Sequence, residues 1–184
     1  MYEIKRGGHA DMKRIYPMLE HDFHEWERPS LADCHLGLIR GAELLLLKDE
    51  SGLEAGYAYM LRDAARRYAL LGWLAVYPTI RGAGTGAQFL ELIKARYARY
   101  ECVFIEVTEY PELEKARRLA GFYKRHGWCE TGIPYAIGGR GDAAAAPRRS
   151  AAARRSARRP GGGIRPHVRP EIPCQARKPP MRGI

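Results

Sequence analysis

An α/β fold is predicted by two observations along the first three quarters of the chain. Strand-like and helix-like periodicities alternate there without any internal repeat, and a Gly-rich loop stands between an apolar run and a helix. The chain of 184 residues is long enough for one domain with a proper core and a remainder. We place the domain at 1–138 and a basic tail at 139–184.

The elements follow in order. Tyr2 to Arg6 reads as a short first strand. Ile15, Leu19, Phe23 and Trp26 recur at helical spacing, which predicts an amphipathic helix running to about Arg28-Pro29. Ser30 followed by Asp33 has the form of a helix cap, so a second helix should run from Leu31 to about Ile39 and stop at Gly41. Residues 44–48 and 53–61 are strand-like runs around Asp49-Glu50-Ser51-Gly52, a hairpin turn. A third run, 68–77, ends at Pro78. Beyond the Gly-rich loop a helix carries Phe89, Leu90, Ile93 and Tyr97. Residues 102–107 form a buried-type strand, 112–126 a helix closed by Gly127, and 128–137 one more strand.

Charge locates the remainder. Of 31 Lys and Arg, 12 lie after Gly138, against 2 of the 21 Asp and Glu. That leaves 19 of each sign before it, so the formal charge of +10 belongs wholly to the tail. The tail is rich in Arg, Ala, Pro and Gly and has no apolar period, which predicts disorder. The cysteines show no C-x-x-C or metal spacing. The start lacks the apolar core of an export signal, and Leu44–Leu47 is too short to cross a bilayer, so a cytoplasmic location away from membranes is expected.

The stretch with most chemistry is Leu74-Ala75-Val76-Tyr77-Pro78-Thr79-Ile80-Arg81-Gly82-Ala83-Gly84-Thr85-Gly86. A strand runs into a three-glycine loop that opens a helix. Unpaired amides and the helix dipole favour an anion at such a start. Glycines let the backbone approach phosphate oxygens, and Arg81 adds a cation. The spacing fits neither the dinucleotide fingerprint nor the Gly-Lys-Ser/Thr loop of nucleotide hydrolases. On the loop alone an ordinary strand-to-helix turn remains an equal alternative.

Arg-x-x-Gly-x-Gly after an apolar strand ending in Val-x-Pro resembles the acetyl-CoA signature of the GNAT N-acetyltransferases, with Arg81, Gly84 and Gly86 at its defining positions. A second block agrees in order and spacing: strand Phe104-Ile105-Glu106-Val107, then a helix ending Phe122-Tyr123-Lys124-Arg125-His126-Gly127-Trp128. Its Arg117–Gly127 segment and Glu106–Glu109 are similar to one bacterial subgroup. The resemblance covers about residues 1–137. It implies a mixed central sheet of about six strands flanked by about four helices, with the usual seventh strand missing. It also implies acetyl-CoA as cosubstrate and a primary amine of a small molecule or peptide as acceptor. The fourth and fifth strands of this family splay to admit the pantetheine arm. Leu74, Ala75, Val76, Arg81, Gly82, Ala83, Gly84, Thr85 and Gly86 would then hold the cofactor.

By the same resemblance Tyr123 would protonate the departing thiolate. The base is less marked: the family's strand-four Glu is absent from Leu71-Gly72-Trp73. Candidates are Glu25, Glu27, Glu106 and Glu109, of which Glu106 is taken forward as catalytic. Ala116 holds the place of a frequent Asn. Trp26 and Tyr59 could line an acceptor pocket, although core packing explains both. No metal is expected, and the chain should be a monomer or homodimer. Two alternatives stay open: a CoA-binding domain with impaired catalysis, and a nucleic-acid-binding protein acting through its tail. Nucleic acid is the weaker expectation, because no aromatic residue lies in the tail for base stacking.

Lost periodicity, the composition shift and the missing strand coincide at about residue 138. They point to a tail read out of the ancestral frame. Translation of the gene in the other two frames should recover a Val/Ile/Leu/Tyr-rich strand; its absence from both would refute the idea.

Overall fold

The computed structural model describes residues 1–23, 25, 28–108, 114–136 and 148–155. Its contacts group into two compact units that divide after Glu106.

The first unit is built on five strands. β1 (Tyr2–Gly7), β2 (Glu43–Asp49), β3 (Glu54–Asp63) and β4 (Tyr68–Val76) pair antiparallel in sequence order. β5 (Cys102–Thr108) joins β4 in parallel, so the sheet is mixed as expected. Between β1 and β2 run α1 (His9–Asp22) and α2 (Leu31–Ile39), and α3 (Thr85–Arg96) links β4 to β5. With α4 (Glu114–Arg125) of the second unit, the described residues hold four α-helices.

Local chemistry explains most boundaries. Asp49 accepts from the amides of Ser51 and Leu53, both at 2.9 Å, and Gly52 takes a left-handed φ of 83°, which closes the predicted hairpin turn. Ser30 caps α2 by accepting from the Asp33 amide at 3.1 Å. The end of α1 differs from expectation. The helix stops at Asp22, and Phe23 is already extended (φ −129°, ψ 140°) while its ring still packs on the core. The apolar spacing therefore outlasts the helix. Trp26, Glu27, Glu109 and the expected boundary at 138 lie outside the described residues.

The sheet has two buried faces. Leu44, Leu46, Tyr57, Tyr59, Trp73 and Ala75 face α1 and α2, which contribute Met12, Ile15, Leu19 and Cys34. Alternate residues such as Leu45, Leu47, Ala58 and Met60 point the other way, and α3 packs against β1 and β4 with Phe89, Leu90 and Ile93 buried. One irregularity reassigns faces within β4. Tyr59 stands opposite Trp73 but Met60 stands opposite Leu71, so Gly72 is the extra residue of a β-bulge. Trp73 joins Tyr59 on the α1/α2 side, and Leu71 joins Met60 on the other.

A buried ion cluster ties the far ends of these elements together. Glu43, 5 % exposed at the start of β2, accepts from Tyr97 at 2.6 Å and from Arg96 Nε at 3.1 Å, both at the end of α3. Arg62, near the end of β3, closes on its other oxygen at 3.0 Å. Burial alone would raise the Glu43 pKa. The bonds from Arg96 and Tyr97 and the charges of both arginines outweigh it and hold the carboxyl below its usual range.

In the second unit α4 ends in a Schellman motif. The amide of Trp128 donates to Tyr123 O and that of Gly127 to Lys124 O, both at 3.1 Å, with Gly127 at φ 77°. This is the predicted stop at Gly127. β6 (Cys129–Ala136) follows and pairs antiparallel with β7 (Arg148–Arg155). The strand count thus departs from the expected six. A seventh strand forms in Arg148-Arg149-Ser150-Ala151-Ala152-Ala153-Arg154-Arg155, a stretch read as lacking strand character. A ladder joins main-chain groups whatever the side chains, so an existing strand edge can pair a segment that shows no apolar alternation.

Glu43→Gln should lower the unfolding free energy at pH 7 by ~2 kcal/mol, less than for a fully buried pair because both arginines reach water. A depressed carboxyl stabilises above its unfolded pKa and loses that effect as pH falls through its folded value. Urea midpoints of wild type and variant should therefore converge on acidification.

Candidate functional site

β4 carries apolar residues to Val76, where Tyr77-Pro78 ends the ladder and a 3-10 turn spans Pro78–Ile80. Arg81 follows, exposed, with Nε donating to the carbonyl of Val76 at 2.7 Å. That bond folds the loop back on the strand end. The terminal nitrogens of Arg81 have no partner among the described residues.

Gly82 (φ 93°) and Gly84 (φ 75°) are both left-handed, the conformation for which glycine was expected here. No heavy atom lies within 4 Å of where a Cβ would stand on either, so the loop opens to the outside. Gly84 is the N-cap of α3 and has no side chain to offer the first amides. Thr85 is 1 % exposed, and its hydroxyl donates to Ile80 O at 3.2 Å. It braces the loop from inside, while Gly86 continues the first turn of α3. The first amides of α3, the positive end of its dipole and the Arg81 side chain thus belong to one exposed loop, an arrangement that can take an anion.

Leu74, Ala75 and Val76 lie beside a gap in the sheet. β4 and β5 pair only from Tyr68↔Cys102 to Leu71↔Ile105. β4 then runs on through Gly72 to Val76 paired with β3 alone. The parting begins at the Gly72 bulge, and a bulge bends its strand and raises the local twist. Along that side of Leu74–Val76 the Val76 carbonyl is taken by Arg81, and the strand has no ladder partner there, which leaves an edge that an extended, amide-bearing ligand could join. Glu106 stands on β5 one residue past the last pair and is half-buried.

Tyr123 belongs to the second unit. It lies in the last turn of α4, 7 % exposed, with its ring edge-on to Trp128 at 6.3 Å. Burial pushes its phenol up to about 12, so it stays protonated and can donate. The residues expected to hold the cofactor are thus brought together around one loop and strand end. Of the other candidates, Glu25 is exposed. Tyr59 is a core residue, 2 % exposed, whose hydroxyl donates to Cys34 O at 2.9 Å.

Two features escaped sequence reasoning. Tyr77 donates to Glu54, which also binds Arg14 of α1 in a two-pronged pair at 3.1 and 2.8 Å. This cluster holds the start of the loop to α1. The second is Tyr57, buried on β3 with no hydrogen-bond partner for its hydroxyl among the described residues. Its alternation with Tyr59 was the visible signal, and that signal reads as core. Among the described residues no cluster of metal-binding side chains occurs, and no helix is long and apolar enough to cross a membrane.

No family model and no curated protein matches the chain in sequence. Solved structures do match in shape. A protein assigned to the GNAT acetyltransferase family from Bacteroides thetaiotaomicron superposes with a TM-score of 0.68 at 18% identity, over 82% of this chain and 85% of that one. Another GNAT-assigned protein, from Desulfovibrio desulfuricans, gives 0.63 at 19% identity, over 85% and 100%. The spermidine/spermine N-acetyltransferase SpeG from Vibrio cholerae gives 0.62 at 12% identity, over 85% and 95%. The chain therefore has the GNAT fold.

Gly84→Ala should cost about 1 kcal/mol of stability through its left-handed φ, with no clash to add to it. Gly86→Ala, within α3, should cost nothing, as denaturant titration of the two variants will read.

Proposed function

We propose that the protein is an acetyl-CoA-dependent N-acetyltransferase acting on a primary amine. The observation that carries this reading is the coincidence of the open glycine cradle at the start of α3 with the parting of β4 from β5 directly beside it. A pyrophosphate bound at Gly82–Gly86 and Arg81 would leave the pantetheine arm running along Leu74–Val76. The arm would make strand-like bonds there, with its thioester near the bulge. The GNAT fold, and the acetyltransferase activity of SpeG, which superposes on it, support the same assignment.

The reaction then asks three things of the chain. A backbone amide of β4 beyond Leu71 donates to the oxyanion that forms as the amine nitrogen bonds to the acetyl carbon. Glu106, directly or through water, takes the proton that the amine must lose. Tyr123 donates to the sulfur as the C–S bond breaks, leaving the acetamide and free coenzyme A. A phenol at about 12 is a weaker acid than an exposed one. It serves first as a hydrogen-bond donor, and its proton moves only as charge builds on sulfur.

Gly72 favours a second reading, a domain that binds CoA with little turnover, because the bulge carries no carboxylate. One assay separates the two. Acetyl-CoA at about 100 times its dissociation constant should stabilise the full chain by about 2.7 kcal/mol, a rise of a few degrees in melting temperature. Gly84→Glu should abolish the shift. Tyr123→Phe should keep it and slow thiol release at least tenfold. No shift in folded wild-type protein would refute both readings, and a shift without turnover of any amine would leave the second.

A further inference from the structure

β3 carries a bulge of its own. Leu47 stands opposite Gly56 and Lys48 opposite Glu54, so Ala55 is an extra residue on β3. Between this bulge and the one at Gly72 lie the matched pairs Gly56↔Val76, Tyr57↔Ala75, Ala58↔Leu74 and Tyr59↔Trp73. They cover the stretch of β4 that has parted from β5. Just past them the Tyr77 amide donates to Ala55 O at 3.0 Å, which fastens the strand end to the second bulge.

Gly56 opens this stretch and is crowded by main chain. A Cβ there would fall on the carbonyl oxygen of Ala75, with Val76 Cα at 3.1 Å and Ala75 C at 3.3 Å. At Gly7 and Gly37 an added Cβ would meet the side chains of Leu44 and Tyr59, which can turn aside. A strand held by its ladder cannot. Gly56 is not among the residues of positive φ, so the close approach, not the backbone conformation, is what asks for glycine.

That approach fixes a direction. A trans peptide is planar, and its C=O and N–H point opposite ways. With Ala75 O turned to β3, the N–H of Val76 is turned to the other edge, where β5 offers no ladder partner. The Val76 carbonyl is held by Arg81 at 2.7 Å, so the amide is what this residue has left for a ligand. A side chain on Gly56 would push Ala75 O away and swing the Val76 N–H with it.

We propose that Gly56 is a positioning residue for the cofactor: its missing side chain lets the Ala75–Val76 peptide lie against β3 and so aims the Val76 N–H at an amide carbonyl of the pantetheine arm. This rests on the acetyltransferase reading and adds to it a residue of the neighbouring strand that never touches the ligand. A donor turned off line loses its bond steeply with angle. The pyrophosphate, bound at Gly82–Gly86 and Arg81, does not depend on that donor.

The test is calorimetric titration of the full chain with coenzyme A and with ADP, which has a pyrophosphate but no pantetheine. Wild type, Gly56→Ala, Val76→Pro and the double variant are compared, with Glu43→Gln as a control destabilised at the far end of the sheet. Gly56→Ala should weaken coenzyme A about tenfold, as for the loss of one hydrogen bond, and leave ADP within about twofold. Val76→Pro removes the N–H on an edge without a ladder, where proline is tolerated, and should do the same. The double variant should bind no more weakly than Val76→Pro alone, because both changes remove one bond. Glu43→Gln should bind both ligands as wild type does. Undiminished coenzyme A binding by either single variant, a parallel loss of ADP, or additive losses in the double variant would each overturn the positioning role and leave the acetyltransferase reading intact. Failure of wild type to bind coenzyme A would refute that reading, and this role with it.

Discussion

The site depends on one interruption of hydrogen bonding, the loss of the β4–β5 ladder after Leu71 and Ile105. A parallel ladder leaves no main-chain group for a ligand, because every amide and carbonyl between the strands is already used. Breaking it in mid-sheet leaves unpaired groups inside a protein, which is tolerated only where something else satisfies them. The bulge at Gly72 makes the break local. β3 continues to pair with β4 as far as Val76, so the strand remains rigid along its other edge. A strand held on one side and open on the other is a template for an extended ligand. The loop that follows it supplies the charge for that ligand's far end.

Keeping a broken sheet in shape needs bonds elsewhere, and the polar clusters stand where that need falls. Glu43 joins β2, β3 and α3 at the end of the sheet opposite the loop. Glu54 joins β3, α1 and Tyr77 at the loop end. Glu43 accepts from two arginines and a tyrosine, Glu54 from one arginine and a tyrosine, and each fastens three elements. Such pairs add little net stability over an apolar contact of the same size, since desolvation offsets most of the attraction. Their value lies in direction: hydrogen bonds fix where α3 and Tyr77 stand, which apolar packing alone does more loosely.

Much of this was legible in the sequence, for identifiable reasons. The hairpin at Asp49–Gly52, the Ser30 cap and the stop at Gly127 rest on bonds between residues a few positions apart, so their chemistry is visible in a short window. The Gly82–Gly84 loop is local in the same sense. The end of α1 was not legible, because Phe23 keeps the helical apolar spacing while its backbone is extended. The bulge at Gly72 was hidden as well. Burial alternates unbroken from Ala69 to Ala75, and only the partner register on β3 shows that faces are exchanged. β7 depends on pairing with the edge of β6, which three alanines between arginine pairs do not announce.

The tyrosines carry this distinction furthest. Tyr57, Tyr59, Tyr77 and Tyr97 read alike along the chain, as aromatic positions within or beside apolar runs, and core is the economical reading for all of them. What separates them is the distant partner of each hydroxyl: a carbonyl of α2 for Tyr59, carboxylates for Tyr77 and Tyr97, and none for Tyr57 among the described residues. Hydrophobic periodicity locates a buried ring but says nothing of its oxygen, since the ring dominates the burial and the oxygen sets the specificity. A phenol satisfied within the fold is structure. One left without a partner among the described residues stands apart only in three dimensions, since no window of sequence distinguishes it from the others.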